Sequence, residues 1–89
     1  MSSQRPPEIY TSMKALEQYL LDCGVDRYWF SINQSSTADL TYVLLWYGEQ
    51  GEAYFPERGL KFDVLESSDR HKLVNHFIDM INARLDTQA

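Results

Sequence analysis

The chain has 89 residues, 44% hydrophobic and 24% charged, and its eight Lys+Arg against thirteen Asp+Glu leave a formal charge of −5. That length supports one domain with one modest core, which excludes a two-domain enzyme and a full Rossmann or TIM-barrel scaffold. The hydrophobic and charged shares are those of an ordered globular domain, and the longest apolar run, Tyr42 to Tyr47, is far short of the ~20 residues that span a bilayer.

Residues 1–6 read as a flexible tail without an apolar segment, so no secretory signal is expected. Cys23 is the only cysteine, which rules out an internal disulfide and makes the cytoplasm the expected compartment. Pro6 and Pro7 suit the first turn of a helix. Ile9, Met13, Leu16 and Leu20 then recur at helical spacing, predicting a helix over about 8–23 that Gly24 stops, with Val25 folding back onto it.

The period then changes to two. Arg27 to Asn33 reads as a strand with Tyr28, Phe30 and Ile32 inward and Trp29 on its wet face. Gln34–Asp39 is a polar connection. Leu40 to Tyr47 is a strand apolar on both faces, Gly48–Gly51 a turn, and Glu52 to Pro56 its hairpin partner, ended or placed at an edge by Pro56. Leu60 to Val64 alternates as a fourth strand after the turn at Glu57–Gly59. Ser67 or Ser68 caps a last helix with Asp69 in its first turn. Leu73, Val74, Phe77, Ile78, Met80, Ile81 and Leu85 form its apolar face, and residues 87–89 fray.

Two amphipathic helices need one sheet face to cover, so the expected fold is an α+β two-layer sandwich over residues 7–86: helix, three or four antiparallel strands, helix. Its core sets Ile9, Met13, Leu16 and Leu20 against Phe30, Ile32, Phe62, Val64, Phe77 and Ile81.

Motifs for chemistry are sparse. His71 and His76 are five apart and do not share a helix face, while His76 and Asp79 make only two ligands; no metal site is expected. Cys23 falls at a helix C-terminus, where the dipole disfavours an anionic nucleophile. Glu49 and Glu52 flank a turn, too wet for paired acid–base work. Gly48 and Gly51 lack the GK[ST] or GxGxxG context of a phosphate loop. The expectation is a protein that is not an enzyme and carries no cofactor.

What stands out is aromatic and apolar surface. Trp29, Leu44, Trp46 and Tyr54 are residue types suited to binding, and on the sheet face left bare by two short helices they would form a surface for a protein partner or a second copy, a homodimer. The same aromatics would serve a single-stranded nucleic-acid binder, with Arg27, Arg58 and Lys61 near the backbone, but scattered and outnumbered basic residues argue against nucleic acid. The sequence therefore predicts a small acidic protein-interaction module, a regulator or inhibitor of a larger protein in the manner of phage anti-defence or immunity proteins. The alternatives are a single-strand-binding module or a small metal-binding or enzyme subunit.

Overall fold

The computed structural model describes residues 5–34 and 41–88. Pro7 opens a 3₁₀ turn over Pro7–Tyr10, and α1 spans Met13–Asp22. The single helix expected over 8–23 is thus two pieces. Ser12 takes an extended backbone and its hydroxyl accepts a hydrogen bond from the Ala15 amide at 3.2 Å, an N-cap that starts a new helix. The end of α1 follows the sequence: Gly24, at φ +89°, lets Val25 N–H reach Leu20 O and Gly24 N–H reach Leu21 O, both at 3.0 Å, and Val25 is buried. Arg5, expected in the flexible tail, is instead tied to the last helix: its guanidinium donates to Asn75 at 2.7 Å and to Asp79 at 2.9 Å.

That helix, α2, spans Arg70–Gln88, continuing through positions expected to fray. Its cap is Asp69 rather than either serine. Asp69 Oδ1 accepts from the Lys72 amide at 3.2 Å, while Ser67 Oγ accepts from the Asp69 amide at 2.9 Å and orders the approach.

Four strands, β1 (Phe30–Ile32), β2 (Tyr42–Trp46), β3 (Gly51–Glu57) and β4 (Leu60–Ser67), lie in that order in one sheet. Residues 27–29, expected in the first strand, form a 3₁₀ turn capped by Asp26, whose carboxylate accepts from the Tyr28 amide at 2.9 Å. Both helices contribute to one core on one sheet face, so the molecule is the two-layer α+β sandwich the sequence predicts. The sheet itself is mixed: β2–β3 and β3–β4 are antiparallel, but β1 pairs with β2 in parallel. Leu40 and the predicted connection from Ser35 to Asp39 lie outside the described residues.

Gly51 belongs to β3 rather than to the turn before it. A Cβ there would collide with the Leu45 carbonyl and with the Leu73 and Trp46 side chains, so the missing side chain lets Leu73 of α2 pack directly on the strand. Pro56 lies within β3, a central strand, and the register explains how. Asn33 N–H donates to Leu44 O at 2.7 Å, so Leu44 turns its backbone groups toward β1, and Val43 and Leu45 turn theirs toward β3. Their partners Tyr54 and Glu52 therefore face β2, and so does Pro56, one step past the last β2 pairing. Its missing N–H leaves no ladder bond unmade.

Register also sets the faces. Phe30, Tyr42, Leu44 and Ala53 are buried against Ile9, Leu16, Leu20, Phe77 and Ile81, with Met13, Ile32 and Phe55 partly buried beside them. Val43, Leu45 and Tyr54 form a second small cluster on the opposite face. The expected core positions Phe62 and Val64 fail, being 43% and 45% exposed. Ala53 pairs with Leu65 but Phe55 with Phe62, so Tyr54 faces two residues, Asp63 and Val64. Asp63 has φ +53°. This β-bulge takes Val64 off the face it would share with Phe62; Phe62 pairs with Phe55 and keeps the helix face, but lies exposed on the edge strand.

Candidate functional site

Trp29, Leu44, Trp46 and Tyr54 do not form one surface. Leu44 is wholly buried on the helix face and Tyr54 is buried on the other. The two tryptophans lie on the helix side, partly buried against the core, and each has an arginine of α2 stacked over its ring. Arg84 lies 4.5 Å from the Trp29 centroid and Arg70 5.1 Å from that of Trp46. Trp46 Nε1 also donates to Gly48 O at 3.1 Å. These contacts hold the tryptophans as flanks of the core, each with a guanidinium occupying a face that base stacking would need.

The apolar excess of β2 is likewise internal. Tyr42 to Leu45 are all buried, with Val43 wholly inaccessible. Polar residues close one side of its far face. Glu52, only 8% exposed, accepts from Tyr47 Oη at 3.3 Å and from Lys61 Nζ at 3.1 Å. The Lys61 ammonium also lies 4.5 Å from the Tyr54 centroid. The hydrogen bond to Glu52 raises the Lys61 pKa above its ordinary value. Partial desolvation, then the Glu52 charge, raises that of Tyr47.

The histidines have structural partners. His71 stacks on Tyr10 with centroids 4.0 Å apart, and Tyr10 Oη donates to Asn75 at 2.6 Å. His76 Nε2 donates to the Asp63 carbonyl at 2.7 Å, pinning the bulge of β4 to α2. Among the described residues no group of three His, Cys, Asp or Glu is placed to hold a metal ion, and Cys23 is exposed at the end of α1. A groove of ≈ 250 Å³ runs between Pro6–Ile9 and α1; Asp22 on its rim already accepts from Gln18 at 2.8 Å.

Exposed apolar surface lies elsewhere, on β4. Leu60 is 62% exposed, and with Phe62 and Val64 it puts three apolar side chains in solvent along an edge strand of eight residues. Sequence reasoning assigned Phe62 and Val64 to the core because nothing in Phe62-Asp63-Val64 marks a bulge, beyond an Asp tolerant of the left-handed region. Compared with protein-family models, curated proteins and solved structures, the chain matches none.

Proposed function

We propose that the chain is a small non-enzymatic binding module that regulates or inhibits another protein by docking on it, and that β4, not the tryptophans, is its contact surface. The observation that supports this reading is the exposure of Leu60, Phe62 and Val64 on the open edge of the sheet. Single exposed apolar residues are ordinary. Three along one edge strand join apolar contact to the outward backbone hydrogen-bonding groups of that edge, the combination used when a partner segment adds to a sheet. The surplus of carboxylates, a formal −5, favours a basic partner surface and speeds the encounter with it.

The test is capture of a partner from the native host by tagged protein, followed by affinity measurement with Leu60→Ser/Phe62→Ser. Both side chains are exposed, so the variant melts close to the parent. Binding weakens by roughly 30-fold, the equivalent of a ~2 kcal/mol hot spot. Undiminished binding by this variant removes β4 from the interface.

A further inference from the structure

The backbone pattern and the charges of β4 point to one occupant for its edge: we propose that the strand pairs antiparallel with the β4 of a second copy about a two-fold axis at the bulge. This rests on the reading of β4 as an interaction surface; in the free protein the second copy holds the edge that a partner protein would take over. The register used above for Pro56 gives the orientation of every β4 residue. Gly51, Ala53 and Phe55 turn their backbone groups toward β4, so their partners Ser67, Leu65 and Phe62 turn toward β3. Lys61 and Glu66 lie between those pairings, and their amides and carbonyls point out from the sheet edge.

In a regular strand, positions 61 and 66 have opposite parity and lie on opposite faces. The extra residue at the bulge removes that difference. Lys61 pairs with Pro56, and Glu66 with Glu52, on the same side of β3. Both thus share the face away from the helices, while Phe62 and Leu65 share the helix face. Antiparallel self-pairing with Lys61 opposite Glu66 of the second copy consequently satisfies three requirements at once. The outward backbone groups of the two residues meet in a hydrogen-bonded pair. Opposite charges face each other, twice by symmetry. Phe62 and Leu65 become cross-strand neighbours on the helix face, covering part of the exposed Phe62 ring.

The registers that set Lys61 against its own copy or Glu66 against its own copy fail on charge, and those that set either against the bulge leave both charges without their complement. Glu66, exposed, lies across from Glu52, whose ion pair with Lys61 is within the chain, and no ion pair is made to Glu66 among the described residues. A lysine from the second copy relieves this like-charge neighbour.

Sedimentation velocity on the full chain, from about 10 µM to about 1 mM, tests the proposal. The wild type is expected to shift from monomer to dimer. Glu66→Lys and Lys61→Glu each place like charges across the axis and weaken the dimer at least ~10-fold. An equimolar mixture of the two restores a dimer, because each chain then supplies the charge the other lacks. Lys61→Glu also removes the ion pair with Glu52, so the unaltered chain provides an independent measurement. Its Lys61 and Glu66 amides should exchange hydrogen at least ~10-fold more slowly at the high concentration. A wild type monomeric throughout, a Glu66→Lys dimer of undiminished affinity, or exchange independent of concentration overturns the second copy as occupant. None of these results touches capture of a different protein, which the Leu60 and Phe62 substitutions judge separately.

Discussion

Gly51 and Trp46, a cross-strand pair on the helix face, make opposite demands on the same contact. Gly51 is required for what it lacks: Leu73 and Trp46 occupy the space of a side chain. Gly51→Ala is expected to cost about 1–3 kcal/mol, as overpacking does, read as a lowered midpoint in denaturant with an unchanged slope. Trp46 supplies bulk. Its ring fills the gap beside Gly51 and carries Arg70 above it, so Trp46→Ala should remove about 2–3 kcal/mol of stability. Oligomeric state should not change. Thermal melts paired with sedimentation check both, and a stable variant with altered association would return Trp46 to the binding surface.

Among elements, legibility in the sequence follows from how local the deciding interaction is. Gly24 and Val25 were readable because a helix stop is made by residues within one turn of it. The apolar face of α2 was readable because its 3.6-residue period repeats for most of the helix. The capping role of Ser12 and of Asp69 competes with neighbours of equal aptitude, Thr11 in one case and Ser67 or Ser68 in the other, and backbone geometry decides among them. The parallel pairing of β1 with β2 is a topological fact with no local signature. The bulge at Asp63 cost most: one inserted residue took Val64 off the helix face, while Phe62 keeps that face but lies exposed because its strand is at the sheet edge. Trp29, Leu44, Trp46 and Tyr54 had the right chemistry for binding, but cross-strand register, not composition, placed them.

For the molecule as a whole, the face opposite the helices carries the clearest pH dependence. Lys61 is held protonated by Glu52, and Tyr47 is held protonated beside the same carboxylate. Both folded-state pKa values are raised above the ordinary 10.5 for Lys61 and 10.0 for Tyr47. Each contribution to stability is therefore complete below those ordinary values and is lost as pH rises through the folded ones. Stability should be level with respect to these groups near neutrality and fall on the alkaline side. Lys61→Met should flatten that fall, with a small amplitude because the lysine is half exposed. Urea midpoints of both proteins from pH 8 to pH 11, a range spanning the ordinary lysine and tyrosine values, provide the check; parallel curves would dissociate Lys61 from the alkaline limb.

The tie between Arg5 and Asp79 joins positions 74 apart, and Tyr10 stacks on His71 nearby. Synthesis delivers these partners at very different times. The hairpins of β2, β3 and β4 close short loops and are free to pair as soon as they leave the ribosome. Ile9, Leu16 and Leu20 are made first, yet they belong to the same buried cluster as Phe77 and Ile81 and must wait for α2. A growing chain accordingly carries this apolar stripe without its α2 cover until the last helix has been made.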